Sequence, residues 1–286
     1  MKIGVSSYSF DRELKRGMDY FTACEEAARM GYEGIEFIDL DLRYGRGEES
    51  VAALADHLRA HCEQLGLYIP AYTVAADFLN GRGGTAAEGP ERVKGCVDIA
   101  ARLGAPVMRH DAFWKLGALR DWRAAVERIA PAIREVTEYA AARGVTTCSE
   151  NHGTIMQDSD RVEALIRRVD HANYGWLVDM GNFLCADEAP QYAVGIAAPY
   201  AVHAHVKDFL FKSGQEEKPV GSWLTTRGGN YLRGTVVGHG VVPVRACLNI
   251  LKKSGYDGWL SVEFEGAEET IPALEQGLAY LRQIGA

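Results

Sequence analysis

The chain has 286 residues, of which 47% are hydrophobic and 24% are charged, and its formal net charge is −8. This composition is typical of a globular protein that is large enough for one α/β barrel or for two smaller domains. The acidic balance argues against a nucleic-acid partner, because proteins that bind the phosphate backbone carry a basic surface.

Cysteine usage and apolar runs give an expected compartment. The six cysteines are scattered without Cys-x-x-Cys spacing, which favours reduced thiols over a disulfide framework or a cysteine-based zinc site. The N-terminal residues lead directly into a predicted strand without an export signal, and no apolar run is long enough to cross a membrane. We therefore predict a cytoplasmic protein that does not bind membranes.

Eight apolar runs alternate with amphipathic stretches along the chain. The runs predict strands over residues 3–6, 34–38, 67–74, 106–110, 145–149, 174–178, 201–206 and 259–264. The stretches predict helices over residues 17–30, 49–65, 88–103, 119–143, 158–169, 188–197, 244–253 and 270–284, with a break or kink at Pro131. Eight strand–helix units without a break in composition predict a single (β/α)8 TIM barrel, of the α/β class, over residues 1–286.

A doubly wound open sheet is the alternative architecture. It is disfavoured because no glycine-rich phosphate fingerprint follows the first strand, and the glycine-rich run at residues 81–84 lacks the strand–helix context that such a fingerprint needs. One connection is unusual: the segment from Lys207 to Val241 is rich in glycine and shows no clear periodicity. We predict a long loop after the seventh strand, lying over the mouth of the barrel.

Four consecutive predicted strands end in a side chain that can bind a metal ion: Glu150, Asp179, His205 and Glu263. These strand ends meet at one face of a (β/α)8 barrel, where the catalytic residues of such barrels lie. A single acidic residue at a strand end is more often a structural ion pair or a cap, but four in register favour one shared site. Glu265 is an alternative to Glu263, which is preferred because it directly follows the apolar run.

Three carboxylates and one imidazole form a hard, mostly oxygen ligand set, which predicts a divalent metal ion. Mn²⁺ is the preferred ion, and Mg²⁺, Co²⁺ and Zn²⁺ are alternatives. Four protein ligands leave two positions of an octahedral ion open, and two adjacent oxygens of a sugar could fill both.

Several other polar residues are candidates for the same mouth. His152 lies two positions beyond Glu150, so it is predicted either as a second acid or base or as a hydrogen-bond support. Lys207 is predicted to hold a substrate oxygen or to pair with Asp208. Asn151 is expected to turn outward into the following loop.

Residues on the second and fourth strands are candidates for substrate binding. Glu36 lies inside the second strand and is predicted as a substrate contact or as a buried ion-pair partner of Arg109. Arg109 and His110 end the fourth strand. Trp114 follows them, and its ring could stack on a sugar or simply pack against the protein.

The segments at the four strand ends resemble the xylose isomerase-like TIM-barrel superfamily, and within it the sugar phosphate isomerase/epimerase group. The resemblance rests on Ser149-Glu150-Asn151-His152-Gly153, Val178-Asp179-Met180-Gly181-Asn182, His203-Ala204-His205-Val206-Lys207-Asp208 and Ser261-Val262-Glu263-Phe264-Glu265-Gly266. In the ketose 3-epimerase members of this group, two glutamates, an aspartate and a histidine bind the metal. By motif match these are Glu150, Asp179, His205 and Glu263, and the family's two proton-exchanging glutamates correspond to Glu150 and Glu263.

The resemblance implies a divalent-metal-dependent sugar isomerase or epimerase that removes a proton next to a carbonyl through a metal-bound enediolate. The same site could expel a β-hydroxyl, so a lyase or dehydratase acting on a keto-sugar or cyclitol is the alternative, favoured by His152 as an extra acid. A nuclease related to the superfamily's AP endonucleases is disfavoured by the charge and by only eight histidines. Intact Glu150 and Glu263 argue against a non-catalytic metal-binding barrel.

The expected partner is a small sugar substrate. No phosphate-binding glycine loop precedes a helix near the last two strands, so a free or weakly anionic sugar is favoured over a phosphorylated one. Barrels of this size often pair, and a homo-oligomer is therefore an open expectation.

Overall fold

The architecture is a closed barrel of eight parallel strands, in a computed structural model that describes residues 1–81 and 89–286. Its strands are β1 Lys2–Ser6, β2 Gly34–Ile38, β3 Ala71–Val74, β4 Val107–His110, β5 Thr146–Glu150, β6 Tyr174–Asp179, β7 Ala201–Val206 and β11 Trp259–Val262, and β8 to β10 form a separate sheet described below. Around the barrel the strand order is β1, β11, β7, β6, β5, β4, β3, β2. The predicted (β/α)8 barrel is confirmed.

Helices cover the outside of the barrel, and consecutive helices from α2 to α8 pack against one another. They are α1 Asp11–Lys15, α2 Tyr20–Met30, α3 Val51–Leu65, α4 Gly89–Leu103, α5 Trp122–Ala141, α6 Ser159–Val169, α7 Pro190–Ala197, α8 Val244–Lys253 and α9 Thr270–Gln283. Gly31 and Gly66 end α2 and α3 with φ of 90° and 70°, a left-handed conformation that glycine adopts without a steric cost. Among the described helices, none is long and apolar enough to span a membrane.

Several predicted boundaries were wrong by a few residues. The third strand begins at Ala71 and not at residue 67. The helix predicted from residue 119 is α5, which begins at Trp122 because the Asp121 carboxylate caps it by accepting from the Arg123 N–H. Pro131 lies inside α5 without ending the helix. The predicted start of α4 at residue 88 and positions 82–84 of the glycine-rich run lie outside the described residues.

The predicted long loop after β7 is instead an inserted antiparallel sheet. It consists of β8 Asp208–Lys212, β9 Leu224–Thr225 and β10 Tyr231–Thr235, with β10 in the middle. The Asp208 carboxylate closes its base by accepting from the N–H groups of Gly238, Gly240 and Val242. The alternative prediction that Asp208 pairs with Lys207 was therefore wrong, because the Asp208 oxygens accept hydrogen bonds from backbone N–H groups instead. Burial raises the pKa of Asp208.

The Asp187 carboxylate helps to fasten the tip of the inserted sheet to the loop after β6. Asp187 accepts from the Thr226 hydroxyl at 2.7 Å, from the Asn230 side-chain amide at 2.8 Å and from the Gly228 N–H. Asp187 itself has φ of 60°. Asp187 thus supplies three contacts of this tip, and Arg227 adds a separate ion pair with Asp158.

Asp187→Gly is expected to release this tip while the barrel stays folded. Glycine accepts the positive φ but offers no acceptor, so three hydrogen bonds are lost without added backbone strain. Limited proteolysis should then cut between residues 213 and 230, with little change in the melting temperature. Asp187→Asn, which tolerates the same φ and keeps one acceptor, should give intermediate protection. Equal protection of the glycine variant and the wild type would contradict this role.

Candidate metal centre and active site

The four residues at the strand ends form one cluster. Glu150 ends β5, Asp179 ends β6, His205 lies on β7, and Glu263 follows β11 directly. Each side chain offers one ligand atom, and these atoms all lie within 4.8 Å of one another. His205 Nδ1 is 3.6 Å from Glu150 Oε1, 3.7 Å from Asp179 Oδ2 and 3.8 Å from Glu263 Oε2. The structure thus brings together the set that the sequence predicts.

Hydrogen bonds from the strand ends fix the orientation of the Asp179 carboxylate. Its Oδ1 accepts from the N–H groups of Gly181 at 2.8 Å and Asn182 at 2.7 Å. Asn151 is buried, not turned outward as expected: its Oδ1 accepts from the Asp179 N–H at 3.1 Å, and its Nδ2 donates to the Asp179 carbonyl at 2.8 Å. Asn151 therefore joins the end of β5 to the end of β6 through two hydrogen bonds.

The cluster suits a divalent cation. His205 Nδ1 is a buried atom without a hydrogen-bond partner among the described residues, and Asp179 Oδ2 has no hydrogen bond there beyond its ion pair with Lys207. Buried polar atoms are rarely left unpaired. Three carboxylates held this close repel one another, and a dication coordinated by three oxygens and one imidazole nitrogen would remove that repulsion. The set therefore fits a metal ion.

Each of the two glutamates in the cluster is paired with a buried cation. Arg109 Nη2 lies 2.7 Å from Glu150 Oε2 and 2.7 Å from Asp111 Oδ1. Lys207 Nζ forms a close ion pair with Glu263 Oε2 and lies 3.3 Å from Asp179 Oδ2. Both cationic side chains are almost completely buried, so their charges act at short range with little screening by water.

The two glutamates differ in proton affinity. Burial raises the pKa of Glu150, but the Arg109 guanidinium and the His205 ring outweigh it, so the pKa lies below its ordinary value. Burial also raises the pKa of Glu263, and there the opposing charges of Lys207 and His205 do not compensate, so the pKa stays above its ordinary value. Glu150 is thus the more firmly ionised carboxylate, and Glu263 is the better proton acceptor.

His152 lies in the wall of the cavity and is paired with Asp111. Its Nδ1 is 2.8 Å from Asp111 Oδ1, and about a third of the side chain is exposed (35%). Because an ionised carboxylate only accepts, Nδ1 carries the proton and Nε2 is the nitrogen that can take or give one. Burial and Arg109 lower the pKa of His152, but Asp111 outweighs them and the pKa is raised. Trp114 packs edge-on against the ring at 5.0 Å.

Two of the predicted substrate contacts lie elsewhere. Glu36 does not pair with Arg109: it is fully buried and accepts from His203 and His205 across the barrel interior. His110 is also fully buried, its Nδ1 faces the Asp111 carbonyl at 3.0 Å, and burial lowers its pKa to about 4. Neither Glu36 nor His110 is among the described residues that line the cavity, so the structure does not support either one as a substrate contact.

The cavity above the cluster has a volume of about 510 Å³. Polar side chains of the centre line it, together with residues of the surrounding loops. Of the predicted residues, Arg109, Trp114, Glu150, His152, Lys207 and Glu263 line it. The inserted sheet adds Leu224, Thr225 and Thr226, so part of the cavity wall comes from the segment that was predicted to be a long loop.

Two residues that contact this site were not predicted from the sequence. Asp111 links Arg109 to His152, and it lies two positions beyond Arg109, the strand period that places side chains on one face. Asn182 donates from Nδ2 to Glu150 Oε1 at 3.0 Å and lies three positions beyond Asp179. The period-two spacing could have indicated Asp111. No comparable pattern in the sequence indicates Asn182.

Comparisons with known proteins agree with this fold. The family described as xylose isomerase-like TIM barrel matches residues 24–284. An inosose dehydratase from Bacillus anthracis is 26% identical over 210 residues, which cover 71% of this chain and 64% of that protein. The aligned part of the chain thus spans slightly less than two thirds of the length of this relative.

Solved structures share the fold. D-psicose 3-epimerase from Clostridium cellulolyticum H10, in complex with D-tagatose, has a TM-score of 0.75 at 17% identity, with 99% of each chain covered. The IolI protein, with a bound zinc atom, has a TM-score of 0.75 at 17% identity and covers 99% of this chain and 98% of its own.

Proposed function

Because the chain belongs to the xylose isomerase-like TIM-barrel family, we propose that it is a metal-dependent dehydratase of a keto-sugar or cyclitol. It would remove a proton next to the substrate carbonyl and expel a β-hydroxyl group as water. The observation that carries this proposal is the His152–Asp111 pair, an acid–base group in the cavity wall that is separate from the carboxylate cluster. Inosose dehydratases among the relatives support the same substrate class.

Glu150, Asp179, His205 and Glu263 would hold the metal ion. When bound, a divalent ion supplies a Lewis acid that polarises the carbonyl oxygen and acidifies the adjacent C–H. One fold neighbour was solved with zinc and another with magnesium, so the choice of Mn²⁺ stays a prediction.

The protein's own residues divide the proton transfers. Glu263, whose pKa burial raises, would take the proton from the carbon next to the carbonyl. The Lys207 ammonium beside it would stabilise the negative charge that develops on the substrate oxygen. His152, protonated and held through Nδ1 by Asp111, would give its Nε2 proton to the departing hydroxyl. Arg109 keeps Glu150 ionised, which makes Glu150 a poor second base.

The isomerase or epimerase predicted from the sequence is the second candidate. It is supported by the D-psicose 3-epimerase fold neighbour and by the presence of two glutamates in the cluster. Incubation of the Mn²⁺-loaded protein with cyclitol ketones and free ketoses in deuterated water separates the two. A product that is lighter than the substrate by one water supports the dehydratase. Incorporation of solvent deuterium at carbon without loss of water supports the isomerase or epimerase. No reaction and no exchange with any member of the panel would contradict both.

Removal of divalent ions is expected to abolish turnover and to lower thermal stability. Adding Mn²⁺ at about 100 times its Kd should raise the melting temperature by on the order of 5 °C, because an ion that binds only the folded state stabilises it. Asp179→Asn, which removes one carboxylate from the cluster, should lose most of this rise. An unchanged melting temperature of the wild type with Mn²⁺, Mg²⁺, Co²⁺ and Zn²⁺ alike would contradict the metal centre.

A further inference from the structure

A second buried group shares His205 with the metal cluster, and its other two members have no role in the proposed reaction. It consists of Glu36 on β2 and of His203 and His205 on β7, all at most 1% exposed. Strands β1 and β11 separate β2 from β7 on the shorter path around the barrel, so these contacts cross the barrel interior. His205 belongs both to this group and to the metal cluster.

The Glu36 carboxylate bridges the two rings. Its Oε1 lies 2.7 Å from His205 Nε2, and its Oε2 lies 2.7 Å from His203 Nε2. An ionised carboxylate can only accept hydrogen bonds, so both Nε2 atoms carry protons. Ser261 Oγ lies 3.0 Å from His203 Nε2 and gives that ring one further contact.

The opposite nitrogen of His205 faces the metal cluster. With the Nε2 proton held by Glu36, Nδ1 is the atom that can present a lone pair, and it lies 3.6 to 3.8 Å from the carboxylates of Glu150, Asp179 and Glu263. Nδ1 has no hydrogen-bond partner among the described residues. The ring thus has one nitrogen fixed from below and the other directed at the cluster.

We infer that Glu36 is a positioning residue, which holds His205 in the Nε2–H tautomer with Nδ1 toward the cluster and so sets its affinity for a divalent ion. This inference rests on the proposed metal centre. A carboxylate that accepts from the remote ring nitrogen of a metal-binding histidine fixes both ring orientation and tautomer, and its loss typically weakens metal binding 10- to 100-fold. Glu36 does not touch the substrate cavity, so it acts through His205.

The three residues could instead hold an ion of their own, since their ligand atoms also lie within 4.8 Å of one another. The 2.7 Å distances from nitrogen to oxygen are those of charge-assisted hydrogen bonds, which favours the positioning role. The number of ions bound per chain distinguishes the two.

The test measures Mn²⁺ binding by calorimetry on the full chain without substrate. Glu36→Leu removes the acceptor for His205 Nε2 and keeps a similar volume, and it should raise the Kd for Mn²⁺ by 10- to 100-fold. Ser261→Ala is the matched control: it removes the other contact of His203 but leaves the Glu36–His205 pair, so its Kd should stay within about twofold of the wild type. A folded Glu36→Leu protein with the wild-type Kd would overturn the inference.

A second measurement needs only the wild type and holds even if Glu36→Leu fails to fold. Nitrogen-15 NMR of the zinc-loaded protein should show His205 with a proton on Nε2 and the metal on Nδ1. The reverse arrangement, or two ions per chain, would overturn the positioning role. A wild-type protein that binds neither Mn²⁺ nor Zn²⁺ would instead contradict the metal centre itself, which separates the two failures.

Discussion

Glu263→Gln is expected to reduce turnover by at least about 10³-fold and to weaken Mn²⁺ binding, because it removes both a carboxylate of the cluster and the proposed proton acceptor. Glutamine has nearly the same shape as glutamate, so the loss of turnover and of Mn²⁺ binding would result from removal of the charge and not from a change in side-chain volume. The side chain lies within 3.8 Å of His205 Nδ1, among the ligand atoms. Calorimetry with Mn²⁺ and a steady-state assay measure the two effects.

Glu265→Gln is the matched control, since this residue is two positions away and also lines the cavity. Glu265 is 25% exposed, lies 3.6 Å from Lys207 Nζ and is outside the cluster. Its replacement should leave the Kd for Mn²⁺ within about twofold and reduce turnover by no more than about tenfold. If Glu265→Gln abolished Mn²⁺ binding and Glu263→Gln did not, the assignment of the ligand would be reversed.

The metal cluster could be predicted from the sequence because a parallel barrel brings the ends of successive strands to one face. Four apolar runs that each end in Glu, Asp or His therefore report a shared site without knowledge of any side-chain contact. Glu263 was chosen over Glu265 because it directly follows the apolar run, and in the structure the strand pairing continues to the Glu263 N–H, which donates to the Val206 carbonyl. Local pattern was sufficient for these features.

Contacts across the barrel could not be predicted in this way. Glu36 and His205 are 169 positions apart and lie on non-adjacent strands, so nothing in the spacing of either segment indicates that they meet. The inserted sheet was missed for a different reason. Its strands β8 and β10 are joined through a glycine-rich stretch with a two-residue β9, which hides the alternation expected of strands.

His152→Gln is expected to reduce dehydration by about 10² to 10⁴-fold while Mn²⁺ binding stays at the wild-type level, because glutamine cannot protonate a departing hydroxyl. Glu263 and Lys207 remain, so exchange of the substrate C–H with deuterated water should continue. Mass spectrometry of the recovered substrate in deuterated water measures the exchange, and the amount of product measures the dehydration. Equal loss of exchange and dehydration would place His152 in the first proton transfer instead.

Asp111→Asn tests how His152 is held in this role. The amide can present its NH₂ group to Nδ1 and so reverse the tautomer, and it removes the charge that raises the pKa of His152. The protonated ring is the proposed acid, so the rate of dehydration falls as the pH rises through this pKa. With the pKa lowered in Asp111→Asn, that fall should begin at a lower pH than in the wild type, while Arg109 keeps its contact with Glu150. An unshifted pH profile would mean that a group other than His152 supplies the proton to the leaving hydroxyl.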